Sequence, residues 1–375
     1  MNPKTWIEVS ESALRHNAQA FLNLAGKAKV MAVVKSNAYG HGLVESSRIL
    51  SKSGVHWFAV DHIDEALTLR HSGIRKPILV LGYTPNHRLI DAVKNNISVV
   101  AYNAETIRAL GKGRGAAKIH LPIETGLTRD GVRLEDLSSL IRLIGKYPNI
   151  EIEGTFLHFA NIEDTKSRAY ADHQLDVFQK ALAILKEHKI DPKFKHTASS
   201  AASILYSDTH FNLLRVGIAM YGLWPAETTR HASRVTRRGF ELRPALSWKS
   251  IVAQVKSVKK GTPISYGLTE KMPRDGQVAV LPIGYADGFD RVGMSRQGQV
   301  LICGKRCKVM GRVCMNMAMV DVTGLKIIGP ESEAVLIGSQ GKQSISAEEM
   351  ADLAGTINYE IVARLNPEIP RIVVK

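Results

Sequence analysis

The chain has 375 residues, 45% of them hydrophobic and 23% charged, with a formal net charge of +15. That length accommodates about two domains with sizeable cores, and the composition is ordinary for a folded globular protein. Three classes are excluded. No apolar run approaches the roughly 20 residues of a membrane span, the N-terminal MNPKTWIEVS lacks the apolar core of a secretory signal, and three cysteines are too few for a disulfide framework, which fits a reducing cytoplasm. Cys303 and Cys307 lack a second ligand pair at zinc-like spacing, so no metal site is expected. The basic residues are spread along the chain, with modest clusters at Arg234–Arg238 and Lys256–Lys260 and no aromatic-studded strip. They read as solvated surface, not as a nucleic-acid footprint.

The first informative element is Val30–Val34, a short apolar run that delivers Lys35 and breaks at once into Asn37, Tyr39 and glycines. This is how a buried strand ends at a loop with a lysine at its mouth. Burying an ammonium is costly, and desolvation lowers its pKa, which suits Schiff-base chemistry or proton abstraction. Taken alone, the same pattern also suits a lysine whose head snorkels into solvent.

Further β-rich runs follow at His56–Val60, Pro77–Tyr83, Ile97–Tyr102, Ala117–Glu124, Ile150–Phe159, Phe194–Ser199 and Leu213–Met220. Helical patterns alternate with them at Leu43–Leu50, Ile63–His71, His87–Asn95, Ala104–Leu110, Leu134–Lys146, Ser167–Lys189 and Ala201–Tyr206. Leu175, Phe178, Leu182 and Leu185 place one apolar stripe down the longest of these helices. Strand-then-helix repetition implies parallel pairing, and eight strands close a (β/α)8 barrel of the TIM type. Chemistry in such a barrel sits at the C-terminal strand ends, which is where Lys35, Arg129, His158, Ser200 and Arg215 gather.

After Gly239 the texture changes. Strand-like runs at Ala245–Val258, Gln277–Ile283, Gln299–Ile302, Lys308–Met310 and Met317–Val322 are punctuated by Gly, Pro and Asp, with a helix pattern at Ala347–Ala354. We expect an α/β barrel domain over 1–239, a surface connection through Thr228–Arg238, and a mostly β domain over 240–375.

Eight motifs in order carry a resemblance over nearly the whole chain: AVVKSNAYGHG, LHFANIED, HTASSAA, LRVGIAMYGL, ISYG, LPIGYADG, GRVCMNM and INYE. Together they resemble the bacterial alanine racemases, pyridoxal-phosphate enzymes of fold type III built from a barrel and a β domain. The resemblance implies that Lys35 binds the cofactor covalently and acts as base on the D-side of the substrate α-carbon. It implies that Tyr266 is the opposing L-side base, supplied by the other subunit of a head-to-tail homodimer. A tyrosine needs about 4 kcal/mol of help to be half ionised at pH 7; His158 and Arg215 resemble the polar chain that supplies part of it. Arg215 would face the pyridine nitrogen, and having no acceptor it can only donate there. The nitrogen then stays unprotonated, which should restrain transamination. Tyr39, Ser200 and Tyr359 would offer hydroxyls, and Gly217 and Ile218 backbone N–H groups, to the phosphate. Tyr285 and Tyr359 would narrow the entrance, Arg129 would contact cofactor and substrate carboxylate, and the Met315 backbone would reach that carboxylate.

Two positions depart from the family pattern. Pro122 stands where a carbamylated lysine often anchors the equivalent of Arg129, so Arg129 needs an anion, Asp130 or Glu124 instead. Asn316 stands where CMD is usual, which removes a negative charge beside the pocket and bears on substrate choice. The resemblance thus implies an L-/D-alanine racemase serving peptidoglycan synthesis. A serine or broad-range racemase is the next reading, and a barrel-type decarboxylase follows.

Overall fold

Eight parallel strands, most of their residues buried, shape the larger part of the computed structural model, which describes residues 3–236 and 239–375. After an N-terminal strand β1 (Thr5–Ser10) come β2 (Lys29–Val33), β3 (Trp57–Val60), β4 (Ile78–Val80), β5 (Ser98–Val100), β6 (Ala117–Pro122), β7 (Ile150–Phe156), β8 (Phe194–His196) and β9 (Leu213–Val216). Their order is β8-β7-β6-β5-β4-β3-β2-β9, so the last strand pairs with the first of the eight. At the remaining seam the Arg215 N–H donates to the Ala198 carbonyl at 3.0 Å. The sheet is a nearly closed (β/α)8 barrel. Helices cover its strands, so runs such as WFAV, ILV and SVV are buried at every residue, as parallel sheets require.

Every strand of the barrel stops short of its expected run at the C-terminal end except β3. Ile218–Tyr221, for example, continues the run of β9 but turns into a 3-10 helix. The backbone leaves the sheet there to form the rim loops, and apolar character alone does not mark that exit. The helix Ala169–Glu187 buries Ala171, Gln174, Phe178, Ala181 and Leu185, a line beside the expected one that includes a polar residue. The expected surface connection is corrected. Glu227–Thr236 is helical, with Thr229 and Ser233 buried, and positions 237–238 lie outside the described residues.

The chain divides into two units. The barrel unit comprises Ser12–Ala38 and Ser46–Pro244; the other comprises Met1–Glu11, Tyr39–Glu45 and Ala245–Lys375. The second unit is mostly β. Strand β1 pairs antiparallel with β10 (Leu246–Ile251) and parallel with the C-terminal strand Arg371–Val374, and the sheet continues from β10 through Glu333–Gln340. The strand-like run Ala245–Val258 is split between β10 and β11 (Gln254–Val258). A small two-stranded ribbon, Pro263–Ile264 against Glu270–Lys271, is anchored by Ile264 and Met272 packed with Val278 and Met310. Its connecting turn presents Tyr266.

Candidate active site

Lys35 follows β2 directly, and the four residues after it adopt the left-handed conformation: Ser36, Asn37 and Ala38 have φ of 54°, 54° and 55°, and Tyr39 53°. None is glycine. Each such residue costs roughly 1–2 kcal/mol, so the turn needs outside support. Glu65, buried on the helix Ile63–His71, supplies it by accepting hydrogen bonds from the Asn37 N–H (3.2 Å) and the Asp61 N–H (3.0 Å). Asp61 in turn sits 3.4 Å from the Lys35 ammonium, whose side chain is 38% exposed. The lysine is therefore held at the strand end by a carboxylate and remains open to solvent; it is not desolvated in isolation. Glu65 and Asp61 were not singled out in the sequence, where the helix pattern DEALTLR reads as an ordinary acidic first turn.

Arg215, on β9 beside β2, is buried inside the barrel. Its NH1 donates to His196 Nδ1 (2.8 Å) and the His196 carbonyl (2.7 Å); its NH2 donates to the Leu157 carbonyl (2.8 Å), the Thr197 carbonyl (3.2 Å) and His158 Nδ1 (3.3 Å). Among the described residues no carboxylate pairs with it and its Nε–H has no partner. Burial, with Arg129 nearby, lowers its pKa to about 9, so it stays cationic at neutral pH. A buried guanidinium with four N–H groups committed and one left is suited to a neutral acceptor, and this donor set fits a pyridine nitrogen. Ser200 is also buried, and its hydroxyl accepts the Gly217 N–H at 3.0 Å. The Ser200 O–H is then left to donate, and Ile218 follows Gly217 at the start of the 3-10 turn. Gly217 thus acts on Ser200 directly.

Arg129 projects from the loop after β6, 57% exposed, with its Nε 2.8 Å from Asp130 Oδ1. Of the two candidate carboxylate anchors, Asp130 makes the contact. Glu124 accepts instead from the Gly126 and Thr128 N–H groups and shapes the loop backbone. Pro122 ends β6, where its carbonyl accepts from Val132 N–H at 2.8 Å. The polar residue in the buried line of helix Ala169–Glu187 has a matching role: Gln174 Nε2 donates to Thr125 Oγ1 (3.0 Å) and the His158 carbonyl (3.1 Å), tying two rim loops together.

The second unit holds the other candidates. Tyr39 and Tyr359 bring their rings to 6.2 Å. Tyr285 and Met315 lie on two loops stacked through their backbones, with Tyr285 N–H donating to the Cys314 carbonyl (3.1 Å) and Ala286 N–H to the Met315 carbonyl (3.0 Å). A Cβ at Gly284 would stand 2.4 Å from the Met315 oxygen, so only glycine permits this approach. Tyr266 is 66% exposed, and Asn316 is exposed beside Met315. Lys35, Arg129, His158, Ser200, Arg215, Gly217 and Ile218 thus belong to the barrel unit, and Tyr39, Tyr266, Tyr285, Met315 and Tyr359 to the second. Among the described residues no cluster of His, Cys, Asp or Glu suits a metal, and no helix is long and apolar enough to cross a membrane.

Three histidines share the barrel interior with Arg215 and are held neutral. Burial pushes His120 and His196 down, with Arg215 adding to the effect, and lowers His158 to about 3 with help from Arg215, Arg129 and Lys35. In an unfolded chain each would titrate near 6.5. The folded state therefore binds fewer protons below that pH, and stability falls as pH falls, by up to about 1.4 kcal/mol per unit for each histidine. Urea midpoints should drop steadily from pH 7 to pH 5, and less steeply in His120→Gln; equal slopes in the two proteins would contradict this origin.

The comparisons with known proteins agree with the geometry. Residues 9–225 match the family described as alanine racemase, N-terminal domain, and residues 245–373 the alanine racemase C-terminal domain. An alanine racemase of Methanococcus maripaludis is 40% identical over 98% of both chains, and one of Carboxydothermus hydrogenoformans is 39% identical over 98% of this chain and 99% of its own. The crystal structure of alanine racemase from Bacillus anthracis superposes with a TM-score of 0.94 at 36% identity, covering 100% of this chain and 96% of that one. With both domain families matched and relatives aligned end to end, this chain belongs to the alanine racemase family.

Proposed function

We propose that the protein interconverts L- and D-alanine with pyridoxal phosphate, using Lys35 as base on the D-side and Tyr266 on the L-side. The observation that carries this reading is the state of Arg215: buried, and among the described residues without a carboxylate partner and left with one N–H to give. Pyridoxal phosphate, when bound, supplies the electron sink that acidifies the substrate α-carbon proton. Lys35 holds it covalently and moves the proton on one face; Ser200, Tyr39, Tyr359 and the Ile218 N–H hold its phosphate, with the Gly217 N–H orienting the Ser200 hydroxyl. Arg215 donates to the ring nitrogen and keeps it unprotonated, and His158, neutral beside Arg215, belongs to the polar chain that assists Tyr266. Arg129 and the Met315 backbone receive the substrate carboxylate, and Tyr285 with Tyr359 restricts the entrance to small side chains.

The barrel unit (Ser12–Ala38 and Ser46–Pro244, in place of the expected 1–239) would then supply most of the cofactor contacts, and the β unit, expected over 240–375, would complete the active site of a partner subunit in a homodimer. Supporting this, the second unit exposes Tyr266, Leu268, Met315, Met317 and Ile357, a set of large apolar side chains that an isolated chain has no reason to present. The enzyme would act in the cytoplasm and supply D-alanine for peptidoglycan. Asn316 favours keeping serine as a second substrate, because the loop that carries Met315 lacks the usual carboxylate.

The test is incubation with L-alanine, L-serine and L-lysine in deuterium oxide, reading α-proton exchange and product chirality. Deuterated D-alanine is the expected product. Carbon dioxide release without racemisation would refute the reading.

A further inference from the structure

The interior of an eight-stranded barrel is normally filled by branched apolar side chains in layers. Here a polar column replaces part of that filling. Ser98 on β5, Glu153 on β7, His120 on β6, His196 on β8 and Arg215 on β9 are all buried. Ser98 Oγ donates to Glu153 Oε2 at 2.5 Å, Glu153 Oε2 lies 3.4 Å from His120 Nε2, and His120 Nδ1 meets His196 Nε2 at 2.8 Å. His196 Nδ1 then receives Arg215 NH1.

The two ends of the column dictate every proton between them. A guanidinium has no acceptor, so His196 Nδ1 must be bare and its proton must sit on Nε2. That proton points at His120 Nδ1, which must also be bare, leaving the second proton on His120 Nε2. At the far end stands a carboxylate, which can only accept. Burial works to raise the Glu153 carboxyl, but His120 and Ser98 together overcome this and hold it below the usual range, so it is ionised. A bare nitrogen turned to that carboxylate would be repelled; an N–H is attracted. Among the described residues His120 Nε2 completes no hydrogen bond, and the Glu153 carboxylate at 3.4 Å is the charged group it faces.

Three local features build the column. In the β6–β7 ladder Ile119 opposes Ile152 but His120 opposes Gly154, so Glu153 is the extra residue of a bulge. Adjacent strand residues ordinarily face opposite sides, and the bulge frees Glu153 from that rule. At Gly154 a Cβ would stand 2.3 Å from His120 Nδ1, so the glycine makes room for the ring. Phe156 stacks on His196 at 4.8 Å and 16°, and Trp57 meets His120 edge-on at 5.7 Å, which holds both imidazole planes. Replacing such buried polar groups with apolar ones is often neutral or stabilising for a fold, so fold stability alone does not account for them.

We infer that Glu153, acting through His120 and His196, is a positioning residue for Arg215: its carboxylate sets the direction of the buried column, and the column holds the guanidinium with Nε–H as the donor left for the site. The consequence for the reaction rests on the reading of Arg215 given above; the column itself does not. With Glu153 intact, each proton has one place. Without an acceptor at that end, the His120 N–H is orphaned, and the reversed arrangement, with Nδ1–H on His196, competes by displacing Arg215.

Holoenzyme with 15N-labelled histidine tests this by NMR, together with the number of racemisation turnovers per transamination event. That ratio does not change when part of the protein unfolds, because both events count the same active molecules. In the wild type, His120 and His196 should both be Nε2–H tautomers. Glu153→Gln, which can still present an oxygen to His120, should keep the tautomers and a ratio near wild type. Glu153→Leu, and Gly154→Ala with its carboxylate intact, should populate the reversed tautomers and lower the ratio about tenfold. Nδ1–H on His196 in the wild type would overturn the inference even if no variant folds, as would wild-type tautomers and ratio in Glu153→Leu. In Arg215→Ala an unchanged ratio would count against the reading of Arg215 and not against the column, whose tautomers are observed without turnover.

Discussion

Lys35→Ala is expected to racemise neither enantiomer, with kcat lower by about a thousandfold or more, and to lose the visible absorption band of covalently held cofactor. On the proposed function two roles would end with one side chain, because the amine that would hold the cofactor would also be the D-side base. The neighbouring variant separates them. Tyr266→Phe keeps the ring and removes only the hydroxyl, so the band persists while α-proton exchange from L-alanine collapses. Exchange from D-alanine, which requires Lys35, should fall far less. The position of Lys35 makes this asymmetry measurable. Its ammonium is held by Asp61 and by the Glu65-supported turn, all within the barrel unit, whereas Tyr266 sits on a ribbon in the second unit, so removing its hydroxyl leaves the lysine's supports intact. Equal loss of exchange from both enantiomers in Tyr266→Phe would show that the two residues do not serve opposite faces.

The second large effect is a gain. Lys35→Ala and Tyr266→Ala are each expected to be inactive, yet after mixing and subunit exchange activity should return to about one quarter of the wild-type value per subunit. If each site takes its lysine from one chain and its tyrosine from the other, a mixed dimer has one intact site and one doubly altered site. Random exchange makes about half of the dimers mixed, and half of their sites are intact. No recovery under conditions where subunit exchange is verified by mass would mean that both residues of a site come from one chain. The exposure of Tyr266 and its apolar neighbours in the second unit supports the shared arrangement.

Much of the barrel was legible because its strands are apolar on both faces and its helices repeat every three to four residues. The helices Ile63–His71 and Ala347–Ala354 and the strand Gln299–Ile302 fall where the pattern puts them. The N-terminal strand β1 was not read, because its six residues pair with strands more than 230 positions away and carry no local signal of that partnership. The helix Glu227–Thr236 hid behind its basic character. In the site, Lys35, His158, Ser200 and Arg215 were readable from their place at strand ends. Their supports were not. The sequence IEIEG places Glu151 and Glu153 on one strand face by simple alternation, yet Glu151 is exposed and Glu153 buried, because Glu153 is the extra residue of a bulge between Ile152 and Gly154. Four left-handed residues after Lys35 were equally hidden, since none of Ser36, Asn37, Ala38 and Tyr39 is glycine. What holds them, Glu65, lies 26 or more residues away.

The segment Tyr39–Glu45 belongs to the same unit as the end of the chain. A Cβ at Gly40 would stand 1.9 Å from the Val362 carbonyl oxygen, and Arg371 Nε donates to the Gly40 carbonyl at 3.0 Å. Synthesis runs from the N-terminus at about 5–20 residues per second, so the loop leaving Lys35 is made long before Val362 and Arg371, which pack on it. A nascent barrel can assemble its strands early, but the contacts of Gly40 with Val362 and Arg371 form only once that distant stretch has been made. A chain that stops before Val362 and Arg371 therefore carries Lys35 without these contacts to the segment that follows it.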